Sequence, residues 1–152
     1  MSIDTADFWS WALERYQSPH TRDLLLALQE SDEVIILEVM FVAWLGIRRQ
    51  QLDHTVWRQL RDSISPWVDC VVKPLREQRQ AWSQSGNTID LKPKTLAVEL
   101  EAERQLAKLL CSAMIGELPS NDVACVEANL QLLPELCLNP DAIKQLSDAF
   151  QG

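Results

Sequence analysis

The chain has 152 residues, 47% of them apolar, with a formal charge of -8 and a pI near 4.7. That length suits one domain with a sizeable core, and the acidic balance argues against nucleic acid as a partner, because gripping a phosphate backbone needs a net basic face. Cys70, Cys111, Cys125 and Cys137 show no CxxC or zinc spacing, so they are expected to be reduced thiols in apolar helical surroundings.

Taken in chain order, Asp4 or Thr5 is expected to cap a first helix to about Gln17, with Phe8, Trp9, Ala12, Leu13 and Tyr16 on one side. Ser18 with Pro19 opens a second helix through LLLALQ to about Glu30. The stretch VIILEVMFVAWL, Val34 to Leu45, has Glu38 as its only polar residue. A helix apolar on every side must be surrounded by its neighbours. Its twelve residues span about 18 Å, short of the roughly twenty apolar residues that a bilayer crossing needs. Residues 33–46 are therefore predicted to form a buried central helix, with Ser31 or Asp32 as cap, Glu33 in the first turn and Gly46 as its stop.

Asp53 is expected to cap a fourth helix carrying Val56, Trp57, Leu60 and Ile64 inward. Ser65 and Pro66 then start a fifth, PWVDCVVKPLREQRQAW, in which Pro74 removes the hydrogen bond to the Cys70 carbonyl and kinks or breaks the helix. Residues 83–93 read as a flexible loop. Thr95 to Ile115 is predicted as a long sixth helix with Leu96, Leu100, Ala107, Leu110 and Met114 inward, ended by Gly116. Ser120 or Asn121 caps a seventh with Val123, Val126, Leu130 and Leu133 inward, and Asn139 with Pro140 opens a last one carrying Ile143, Leu146 and Phe150. The expected fold is all-α, a single compact domain over 1–152, with about seven to eight helices around the buried central one.

Charge departs from this background in one segment. Residues 48–79 hold seven Lys or Arg against four Asp or Glu. The pattern suits a basic middle segment between acidic N- and C-terminal parts, or an anion or acidic-partner site built from Arg48, Arg49, Arg76 and Arg79. Arg79 shares a helical side with Val72, Leu75 and Trp82, and Glu38 is its candidate carboxylate, because a buried charge without a partner is strongly disfavoured. Glu38, Arg76 and Arg79 are thus a candidate buried ion pair or the lining of a ligand pocket. Glu99 and Glu103, one turn apart within EAER, read as a solvated face, without the Glu-x-x-His motifs of di-metal bundles. His20 and His54 fall at helix starts, and no GxSxG, P-loop, GxGxxG or HExxH motif is present. No cofactor or metal site is therefore expected, and catalysis has no motif to support it.

Several segments together, FWSWALERY at 8–16, Pro19 followed by LLLALQ, Trp44-Leu45-Gly46, VVKPLREQR at 71–79 and LAVELEAERQ at 96–105, resemble a family of small bacterial cytoplasmic proteins defined as a domain of unknown function. The likeness spans about residues 8–115, and PLRxxR is its most specific part. The resemblance implies a helical, cytoplasmic protein and supplies no activity, substrate or cofactor. The start of the chain, MSIDTADFWSW, has no secretion-signal pattern, which also points to the cytoplasm.

The leading functional reading is a non-enzymatic protein-binding or regulatory module. Another protein is its expected partner, self-association is an open alternative, and no segment spans a membrane. Six Trp supply candidate anchors: Trp9, Trp11 and Trp82 for a partner surface, with Arg48 and Arg49. The alternative is a small-molecule or anion-binding protein with a pocket between the central helix and the PLRxxR helix.

Overall fold

The computed structural model describes residues 4–32, 34–84, 91–114 and 118–151. They are all-α: α1 Thr5–Tyr16, α2 Pro19–Asp32, α3 Ile36–Ile47, α4 His54–Trp67, a π-helical turn Val68–Val72, α5 Lys73–Ser83, α6 Leu91–Ala113, α7 Val126–Leu130 and α8 Pro140–Gln151. One isolated antiparallel bridge joins Gln50 to Ser120. The chain divides into two compact units, Met1–Arg58 with Ile115–Gly152, and Gln59–Met114. The expected roles of Glu33 and Gly116 fall outside the described residues, as does most of the 83–93 loop, whose ends are helical: α5 reaches Ser83 and α6 begins at Leu91.

In the first unit α3 is the centre, with α1, α2, α7 and α8 against it. Every residue from Leu37 to Gly46 is buried, as an all-apolar helix requires. Its start differs from expectation. Ser31 and Asp32 belong to α2, where the Ser31 hydroxyl donates to the Ala27 carbonyl at 2.9 Å and so is not a cap for α3. Ile35, in extended backbone, becomes the cap residue without a side-chain hydrogen bond. Glu38 lies in the first turn, the end of a helix at which acidic side chains are favoured.

Gly46 is not the stop either. The helix runs on to Ile47 and is closed by Arg49 at φ 63°, with the Arg49 amide donating to Gly46 O (3.0 Å) and the Gln50 amide to Leu45 O (2.9 Å). The glycine serves close packing, because a Cβ there would stand 2.7 Å from Val126 Cα and 2.8 Å from Val126 N.

α7 is shorter than predicted. Ser120 and Asn121 do not cap it: Ser120 pairs with Gln50, and the Asn121 amide donates to Arg49 O at 2.8 Å. Val123 is exposed, while Val126, Leu130 and Leu133 are buried as expected. Asn129, fully buried, ties this element down. Its Nδ2 donates to the carbonyls of Val42 and Gln50, each at 3.0 Å, and its Oδ1 accepts from the Leu52 amide at 3.0 Å. The two ends of the unit follow the sequence closely. Asp4 caps α1 by accepting from the Ala6 amide (2.9 Å), Asn139 caps α8 by accepting from Ala142 (3.1 Å), and Ile143, Leu146 and Phe150 are buried.

The second unit begins within α4. Pro66 does not start a new helix. It lies inside α4, and the Ser65 hydroxyl donates to Asp69 Oδ2 at 3.1 Å instead of capping. Pro74 does not break the helical run, which continues from α4 through the π turn into α5. The π turn ahead of it sends the Lys73 amide five residues back to Val68 O, and this shift of register leaves Pro74 in the first turn of α5, where no amide donor is needed. Val68 and Val72 face the core, and Trp67 Nε1 donates to the Ala102 carbonyl of α6 at 2.9 Å.

α6 faces the other way from the predicted stripe over its first three turns. Thr95, Glu99 and Ala102 are buried, in line with Leu106 and Leu110, whereas Leu96 and Leu100 are exposed. The reason is charge: α5 packs against α6 and carries Arg76 and Arg79, both half-buried. Burying a guanidinium without a carboxylate is more costly than leaving a leucine in water.

Candidate functional site

PLRxxR places Arg76 and Arg79 one turn apart on α5, and Glu99 and Glu103 lie one turn apart on α6. Arg79 makes a two-point contact on Glu99, with Nε to Oε2 at 2.6 Å and Nη2 to Oε1 at 3.4 Å. The side chains are 21% and 10% exposed, so the pair is largely out of solvent. Glu103 is half-buried, and burial, reinforced by the charge of Glu99, pushes its carboxyl up to about 7. Arg76 and Arg79 oppose that rise without cancelling it. The cluster therefore holds two guanidinium groups, one fixed carboxylate and one carboxyl that exchanges its proton near neutrality.

Glu99 and Glu103 are thus not a solvated face. The signal was present in the spacing of Thr95, Glu99, Ala102, Leu106 and Leu110, which marks one helical side as clearly as the leucines mark another. Arg79 has its carboxylate within its own unit. Glu38, only 3% exposed, belongs to α3 in the first unit.

The other candidate residues are placed as follows. Trp9, Trp11 and Trp82 are half-buried, and Trp11 lies against Phe150 with ring centroids 5.5 Å apart. Arg48 and Arg49 are exposed at the end of α3, and the Arg48 guanidinium sits 4.6 Å from the centre of the Trp44 ring. His20 and His54 are exposed at the starts of α2 and α4. His54 and Cys137 border one open groove, in which the Cys137 thiol donates to the Pro134 carbonyl at 3.4 Å. All four cysteines are thiols. Cys111 and Cys125 are buried, but Cys70 and Cys137 are exposed, on the outer side of the π turn and past the end of α7, so those two are not core residues. Burial pushes the Cys125 thiol up. Among the described residues no group of three or more His, Cys, Asp or Glu is placed to hold a metal ion, and no helix is long and apolar enough to cross a membrane.

These features define an all-α protein with an internal acid–base cluster in its second unit. The chain belongs to the DUF2390 family, described as a protein of unknown function, whose family model matches residues 7–110. That span includes the PLRxxR segment and both glutamates of the cluster. No curated protein and no solved structure matches the chain.

Proposed function

We propose that the chain is a non-enzymatic helical binding module and that the outer side of α6 is where another protein docks. The observation that carries this reading is the exposure of Leu96 (44%) and Leu100 (48%) on the side of α6 turned away from Thr95, Glu99 and Ala102. Leu96 and Leu100 stand one turn apart on the same side of the helix, so they present one apolar stripe to a partner. The second unit is close to charge-neutral, with the acidic excess concentrated in the first, so a partner meets little long-range repulsion there. The matching partner presents an amphipathic helix whose apolar stripe covers Leu96 and Leu100, with polar flanks against Lys94 and Glu101. Four cysteine thiols suit a reducing compartment, and we take the module to work in the cytoplasm. The anion-binding alternative is less well supported, because the Arg79 fork already holds Glu99.

A photoreactive amino acid placed at Leu100 tests this reading, with the exposed Lys144 position on α8 as control. One discrete cross-linked protein from position 100, absent from position 144, is the expected result. Equal cross-linking from both positions, or none from position 100, would overturn it. A product of twice the chain mass would replace the partner protein with a second copy.

A further inference from the structure

We propose that the hollow bordered by the end of α1, the start of α2 and the end of α8 binds a small zwitterion with the headgroup of a free α-amino acid. Its carboxylate would meet the N-terminus of α2, and its ammonium would meet Glu14 and Asp148. The hollow has a volume of about 360 Å³, within the size class of small-molecule sites, and Glu14, Arg15, Ser18, His20, Thr21 and Asp148 border it. All six belong to the first unit.

Thr21 is the residue that points to a ligand. It is only 2% exposed, yet it borders the hollow, and its hydroxyl has no hydrogen-bond partner among the described residues. The buried Thr95 of α6 has the ordinary arrangement, donating to the Leu91 carbonyl one turn back at 2.8 Å. Leaving a buried hydroxyl unbonded is costly, so Thr21 suits a polar group that arrives from outside. The backbone beside it acts in the same sense. α2 runs for 14 residues with no acidic side chain in its first turn. The His20 and Thr21 amides of that turn have no intrahelical acceptor, and together with the helix dipole they favour an arriving carboxylate.

The opposite charge comes from the other walls. Glu14 of α1 and Asp148 of α8 are exposed carboxylates, and neither is in an ion pair with a described residue. Among the described residues no three His, Cys, Asp or Glu converge as metal ligands do, so Glu14, His20 and Asp148 stand around the hollow and not at one point. That spacing suits the separated charges of an organic ligand better than a bare metal ion. The first unit also carries the acidic excess of the chain, which repels a simple anion at long range but not a molecule of zero net charge. A simple amine, in turn, leaves Thr21 and the α2 amides unanswered. The site lies wholly in the first unit and needs no residue of α6, so its failure would leave the docking reading untouched.

Titrating the nitrogen-15-labelled full chain with each of the common L-α-amino acids near neutral pH reads the site at the His20 and Thr21 amide signals. At least one amino acid is expected to shift both signals saturably below about 10 mM. The matching amine and the matching carboxylic acid should each bind at least about tenfold more weakly. Thr21→Val should weaken binding about tenfold while the melting temperature holds or rises, since no internal hydrogen bond is lost. His54→Ala, at the start of α4, should leave binding unchanged. No saturable shift from any amino acid, or an amine or acid that binds as tightly, would overturn the zwitterion site. Should Thr21→Val fail to fold, the exposed Glu14→Gln and Asp148→Asn decide: a loss of affinity in either supports the site, and unchanged affinity in both rules it out.

Discussion

Arg79 and Glu99 meet across α5 and α6 at two points, 2.6 and 3.4 Å, in surroundings that leave little of either side chain in water. Removing one partner strands the other. Arg79→Ala is expected to destabilise the chain by about 3 kcal/mol, because a buried carboxylate loses its counter-ion. Arg79→Lys keeps the charge but loses the fork and should cost about half as much. The double replacement Arg79→Met with Glu99→Leu should recover most of the loss. Urea denaturation of these variants and of the singles Arg79→Met and Glu99→Leu measures this, and a double variant as unstable as the sum of those singles would contradict a paired role.

Asn129 joins three backbone groups that lie far from it in sequence. Asn129→Ala leaves the Leu52 amide and the Gln50 carbonyl without the bonds they have now, at an expected cost of about 3 kcal/mol. Asn129→Asp keeps the acceptor for Leu52 but turns two donors into an acceptor facing the Val42 and Gln50 carbonyls, so it should be no better than alanine. Thermal unfolding near neutral pH compares the two.

At the end of α3 two substitutions three residues apart should act in opposite directions. Gly46→Ala normally favours a helix by about 1 kcal/mol, but here the new methyl meets the backbone of Val126 at 2.7 Å, and a net loss of about 2 kcal/mol is expected. Arg49→Gly relieves a left-handed residue at φ 63° and should raise stability by about 0.5 to 1 kcal/mol. A stabilising Gly46→Ala would show that α7 moves away freely.

The two sides of α6 should respond differently to substitution. Leu96→Lys and Leu100→Lys are expected to change stability by no more than about 0.5 kcal/mol, since both side chains are already in water. Leu106→Ala, on the fully buried side, should cost about 3 kcal/mol. Denaturant midpoints of the three variants are the measurement, and a large loss at Leu96 or Leu100 would return that face to the core.

Much of this protein was determined by its sequence acting locally. The caps at Asp4 and Asn139, the buried run of α3 and the inward face of α8 each depend on residues within a turn or two of one another, and they form as the residues dictate. The tertiary structure decided what depends on groups distant in the chain. Leucines and carboxylates mark two competing sides of α6, and only the arginines on α5 select which turns inward. Gly46 is a stop signal by itself and becomes a contact point once α7 lies against it. Asn129 and Pro66 carry no local sign of their roles. The first takes its meaning from backbone groups tens of residues away, and the second is tolerated in a helix that continues to Trp67. The candidate site shows the same division: PLRxxR was legible as a motif, but Glu99 as a partner of Arg79 was not, because helical spacing marks faces without saying what meets them.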